Sequence, residues 1–257
     1  MPEKTICALR ANGMLAGSRV IMRAGEALSM RRLLAVGMVF VWLSAQPPAL
    51  RARDVNGKPN FQPVEAVSVS DIVCPVTSLG MGTVVLDVLI SESGNTKDVE
   101  VRRGIPSLTE GAVRSVRAWT FEPAKFRGKA ITSRITVAIT FNPASELVVA
   151  NVPLPPLVHE NDQARIQSSF QPAEVTFAGF PKYPHGALLL AATVILEATV
   201  NEAGKVQSTM VLRDVPPFTA KAIQAVGDWR FMPATLSGKR VESRVVLAFN
   251  FRQPVGN

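Results

Sequence analysis

The chain is short of the residues that build cross-links and metal sites. Among 257 residues there are two Cys, two His and one Tyr. Two Cys rule out a disulfide framework, and with two His they leave no basis for a zinc ribbon or a His-rich metal cluster. No metal site is therefore expected at His159 or His185. The signatures of nucleophilic and metal-assisted catalysis are also missing: there is no Gly-x-Ser-x-Gly, no Cys-His pair and no His-Glu-x-x-His. No glycine-rich phosphate loop is present either. These absences predict no catalytic residue, no cofactor and no enzymatic activity. What remains is 47% hydrophobic and 19% charged, ordinary for a folded protein and too apolar for general disorder.

Net charge is +8, with a pI near 10.0. Residues 1–52 hold seven Lys/Arg and two Glu, and the rest of the chain 21 basic and 18 acidic residues. The excess thus sits mostly in the N-terminal segment, and a nucleic-acid partner is not expected. That segment contains Met30-Arg31-Arg32 followed by 13 residues from Leu33 to Ala45, and then Pro47-Pro48. The apolar run is shorter than the about 20 residues of a membrane span. A basic stretch, a short apolar core and a small residue describe a signal peptide, with Ala45 or Ala52 at the cleavage position. Residues 1–29 do not fit that unit, and Met22 or Met30 offers a later start. The prediction is a leader over 1–52 and export from the cytoplasm, or an inner-membrane tether if the leader is retained. Export with cleavage leaves Cys74 as a lone thiol, expected to be a small buried side chain.

The remainder contains an internal repeat. Thr83–Phe141 and Thr193–Phe251 align without a gap at an offset of 110. Identical pairs include Gly94/Gly204, Arg103/Arg213, Trp119/Trp229, Phe121/Phe231, Pro123/Pro233, Gly128/Gly238, Arg134/Arg244 and Phe141/Phe251. Upstream, Phe61-Gln62-Pro63-Val64-Glu65 matches Phe170-Gln171-Pro172-Ala173-Glu174 at an offset of 109, and Cys74-Pro75 falls on Tyr183-Pro184. Two units are expected, at 61–143 and 170–253. Between them, 144–169 with its NVPLPPL run reads as a partly extended linker.

One unit can be folded on paper. Val84, Leu86, Val88 and Ile90 alternate with their neighbours, which predicts a strand. A turn at Gly94 or Gly204 leads into a second strand through Val99–Arg103 and its counterpart. Beyond Pro106 or Pro216, Leu108, Ala112, Val113, Val116 and Trp119 recur at helical spacing, as do Phe218, Ala222, Ile223, Val226 and Trp229. Thr109 and Thr219 are candidate caps. After a Gly-Lys turn comes a third strand whose inward set is Ile131, Ser133, Ile135, Val137, Ile139 and Phe141. Its outward set, Thr132, Arg134, Thr136 and Thr140, is polar. Strand directions predict the order second-first-third, with the helix on one face. The fold class is α+β: two tandem small domains, each a three-stranded antiparallel sheet packed against one or two helices. The second and third strands are then exposed edges, suited to binding an extended peptide by strand addition.

Each unit resembles the TonB C-terminal domain. The resemblance rests on Gly82–Val85, the hairpin glycine, Ala112/Ala222, the Trp-x-Phe-x-Pro-Ala motif with its Gly-Lys turn, and the lead-in Phe180-Pro181-Lys182-Tyr183-Pro184. It implies a periplasmic module of a system that couples the inner-membrane proton gradient, through ExbB and ExbD, to TonB-dependent outer-membrane receptors. It further implies that an extended receptor segment is gripped along the third strand. Here that maps to Ser133, Arg134, Ile135, Thr136 and Val137 and to Ser243, Arg244, Val245, Val246 and Leu247, with Tyr183 and Pro184 as the lead-in. The apolar run carries no Ser-His pair, and only residues 53–60 separate the leader from the first unit. An alternative function is therefore a soluble periplasmic scaffold or adaptor that keeps the fold without energy transduction.

Overall fold

The computed structural model describes residues 60–73, 80–142, 152–158, 169–185, 187 and 191–252. The leader at 1–52, Cys74-Pro75, His159 and most of the linker lie outside them. The first copy runs β1 (Phe61–Gln62), β2 (Glu65–Ser68), β3 (Gly82–Ile90), β4 (Thr96–Arg103), α1 (Pro106–Arg117), β5 (Thr120–Glu122), β6 (Ala124–Phe126), β7 (Lys129–Ile131) and β8 (Ser133–Asn142). The second repeats this order as β9 (Phe170–Gln171), β10 (Glu174–Phe177), β11 (Ala192–Val200), β12 (Val206–Arg213), α2 (Phe218–Val226), β13 (Arg230–Met232), β14 (Thr235–Leu236), β15 (Lys239–Arg240) and β16 (Ser243–Phe251).

The local signals act where the residues place them. Gly94 and Gly204 turn their hairpins at φ +83° and +74°, a region open to glycine. The Trp-x-Phe motif then docks on those turns: the Phe121 and Phe231 amides donate to the Gly94 and Gly204 carbonyls at 2.9 Å. Pro106 opens α1, where its missing N–H costs nothing. Thr109 does not occupy the cap position. It sits inside the first turn, and its hydroxyl both accepts from the Ile105 amide and donates to the Ile105 carbonyl, each at 2.8 Å. Thr219 accepts from the Val215 amide in the same way.

Within each copy the strands lie in the expected order, second-first-third. The copies do not form two separate three-stranded sheets. One six-stranded sheet runs β12-β11-β16-β8-β3-β4, with β16 and β8 parallel and in register from Val245↔Thr136 to Phe251↔Asn142. The expectation of a free third-strand edge is thereby corrected. The physical reason lies in the outward residues, several of which are apolar: Val85 and Ala138 in the first copy, Ile195, Val246 and Ala248 in the second.

Parallel pairing turns the two copies face about. The seam joins residues 109 apart, as in Val246↔Val137, rather than 110. That single step sets an outward residue of one copy beside an inward residue of the other, because side chains alternate along a strand. Ile195, Val246 and Ala248 therefore complete the core built on Leu86, Leu108, Val116 and Trp119. Val85 and Ala138 enter the core of Leu196, Phe218, Trp229 and Phe249. With α1 and α2 over opposite faces, the seam strands are covered on both sides, as parallel pairs generally are.

Candidate partner-binding edges

The third-strand residues expected to meet a partner are buried or half-buried. Ser133, Thr136 and Ser243 expose 5%, 3% and 2% of their surface, and Ile135, Val137, Val245, Val246 and Leu247 at most 1%. Arg134 and Arg244 are committed to buried acids. Arg134 Nη1 lies 3.4 Å from Asp87 Oδ2 and 3.1 Å from Glu100 Oε2. Arg244 donates to Glu197 and, from Nη2, reaches Glu65 Oε1 of the other copy at 2.8 Å. Glu197 also accepts from the Ala66 amide at 2.8 Å. The Thr136 hydroxyl donates to the Ala173 carbonyl at 2.5 Å. These groups stitch the lead-in of one copy onto the sheet of the other.

The lead-in pair is also interior. Tyr183 packs edge-on to Phe218 and Phe251, with ring centres 5.5 and 5.6 Å away, and its hydroxyl donates to the Arg252 carbonyl at 3.2 Å. Burial pushes the Tyr183 phenol above its ordinary range. Pro184 is buried beside it, and His185 is exposed.

The seam leaves β4 and β12 as the outer strands of the large sheet. They are homologous but differ in two respects. The first is chemical: β4 ends Glu100-Val101-Arg102-Arg103, whereas β12 ends Met210-Val211-Leu212-Arg213 and carries no charge between Lys205 and Arg213. The second is occupancy. The linker lies along the end of β4, with Leu157 bridged antiparallel to Arg103. The Val158 amide donates to the Arg102 carbonyl at 2.9 Å, and Arg103 Nη1 donates to the Pro155 carbonyl at 2.6 Å. Along β12, no strand pairs with the outer side of Val206–Arg213 among the described residues. Met210 and Val211 there are 47% and 39% exposed. In the sequence, the apolar Met210-Val211-Leu212 run is what sets this edge apart from β4.

The family model described as Gram-negative bacterial TonB protein C-terminal matches residues 80–143 and 181–253, over half of the chain. Among solved structures, the solution NMR structure of the Pseudomonas aeruginosa TonB CTD is 27% identical and covers 33% of this chain and 90% of that one, with a TM-score of 0.29. No curated protein matches the chain. Each matched stretch contains a complete hairpin, helix and third strand, and on that ground the chain belongs to the TonB C-terminal family, in two tandem copies.

Proposed function

We propose that this protein is a periplasmic recognition module that takes an extended segment of a partner protein by strand addition to its sheet. It acts as an adaptor that holds its partner without transmitting force. One observation carries this reading: an outer strand of the sheet already accepts an extended segment, the chain's own linker, in antiparallel fashion at Arg103. The family supplies the partner class, a TonB-dependent outer-membrane receptor. The mutual burial of the third strands favours an adaptor, because the strand that grips receptors in the family is occupied by its sister.

A second reading is energy-coupled transport with ExbB and ExbD. It draws support from the seam's incomplete length, since β8–β16 pairing begins at Thr136 and Val245. Ser133–Ile135 and Ser243–Arg244 lie before it, where an incoming strand would start to separate the two.

Hydrogen exchange on the full chain, with synthetic peptides copied from periplasm-facing receptor segments, tests both. The adaptor reading expects slowed exchange in an outer strand. Slowed exchange confined to Ser133–Val137 or Ser243–Leu247 favours transport. No change at any strand with millimolar peptide rejects strand addition altogether. N-terminal sequencing of the exported protein decides whether the leader is removed, as the adaptor reading requires.

A further inference from the structure

The two outer strands of the sheet are copies of one another, yet among the described residues only one is paired along its outer side. Edge strands in natural proteins are blunted by charge, proline or a covering segment. β4 has all three: Lys97, Asp98, Glu100, Arg102 and Arg103 along its length, and a proline-bearing segment over its end. The prolines of that segment have no N–H, so it satisfies the edge without offering a new one. Among the described residues, β12 has none of these devices from Val206 to Leu212. It presents a backbone ladder flanked by exposed Met210 and Val211, ending at Arg213, the counterpart of the arginine that holds the linker. Arg213 Nη1 lies 2.6 Å from Asp71 Oδ1, at the position where Arg103 holds the Pro155 carbonyl.

From this asymmetry we infer that β12 is the partner-binding edge, and that its occupant is an extended, apolar, proline-bearing segment of another protein, lying antiparallel to β12 as 152–158 lies against β4. The inference rests on the strand-addition reading and narrows it to one edge and one ligand chemistry. Main-chain pairing along β12 supplies the common affinity. Met210 and Val211, on opposite faces of the strand, select apolar side chains. Arg213, paired with Asp71, marks the end of the strand at which the segment stops. Because the linker already occupies the end of β4 and charges line the rest of that strand, the chain takes one such segment and not two.

The probe is a synthetic peptide with the chain's own 152–158 sequence, Val-Pro-Leu-Pro-Pro-Leu-Val, added to the full chain and followed by backbone amide NMR. The expected result is saturable shifts in Val206–Arg213 at one peptide per chain. Met210→Lys with Val211→Lys alters two exposed positions and keeps the fold, checked by its amide spectrum; it should weaken binding by about tenfold or more. Shifts centred on β4, no shifts at millimolar peptide, or unaltered affinity in the double variant each overturn the inference. A concentration-dependent dimer of the unmodified chain that the double variant abolishes also overturns it, since the occupant would then be a second copy. Failure here is separable from failure of the wider reading: receptor peptides that bind elsewhere while β12 stays silent leave strand addition standing and remove only this edge.

Discussion

At the scale of single residues, the hairpin glycines carry more than a turn. A Cβ on Gly94 or Gly204 would collide with the carbonyl oxygen of Phe121 or Phe231, whereas one on Gly128 or Gly238 meets nothing. All four have φ between +74° and +83°. Alanine at Gly128 or Gly238 should cost about 1 kcal/mol for the left-handed backbone alone. At Gly94 or Gly204 it should cost about 3 kcal/mol, because the Trp-x-Phe docking must also shift. Urea titration of the four variants measures this, and equal losses at all four would refute the close-approach argument. Tyr183 gives a second, pH-dependent prediction. Burial raises its phenol above the ordinary 10.0, so above that pH the unfolded chain releases its proton first. Stability is then intact below about pH 10 and falls as pH rises toward the folded value. Tyr183→Phe should lose about 1 kcal/mol near neutrality with the bond to Arg252 and show a shallower alkaline decline. Tyr183 is the single tyrosine, so phenolate absorbance reports it directly; a folded-state titration at the ordinary value rejects the prediction.

At the scale of elements, Arg134 and Arg244 mark the limit of what alternation reveals. The hairpins, the helices and the second-first-third order were legible because two copies keep the same apolar stripe in the face of different residues. Thr132, Arg134, Thr136 and Thr140 made the other face of the third strand read as solvent. Yet an arginine on a strand face looks the same whether it meets water or a buried acid. Glu197, 2% exposed, is compensated through Arg244, and a buried acid stripped of its partner costs about 3–5 kcal/mol. Arg244→Ala should therefore destabilise by about 3 kcal/mol. Arg114→Ala, removing an exposed pair with Glu110, should change stability by at most about 0.5 kcal/mol. Thermal or urea unfolding compares them; a mild Arg244 variant would mean that water reaches Glu197. Arg244→Glu would set a third carboxylate against Glu197 and Glu65 and disturb the fold between the copies, so its effect on partner binding would be indirect. The better clues to the seam were the small and apolar residues among the outward set, Ala138, Val246 and Ala248. They were visible in the sequence, but a strand with one partly polar face does not say which other strand will cover it.

At the scale of the whole molecule, each copy supplies part of the other's interior. A cut in the linker between residues 159 and 168, at an inserted protease site, should leave the two fragments together under native conditions. They should co-elute in size-exclusion chromatography and separate only in denaturant, because separation would expose the buried Val85, Ala138, Ile195, Val246 and Ala248. Fragments that elute as independent monomers would contradict the shared core. The candidate edge belongs to this scale too, since which strands are outermost is decided by the sheet as a whole and not by either repeat. The tether between the copies has a further effect that concerns dilution. Two copies on separate chains would assemble in a second-order reaction and come apart at low abundance. Joined by a short linker, they meet at an effective concentration on the order of millimolar, whatever the amount of protein present. The six-stranded sheet then forms as readily from a single molecule as from many, and its unfolding midpoint should not move with protein concentration.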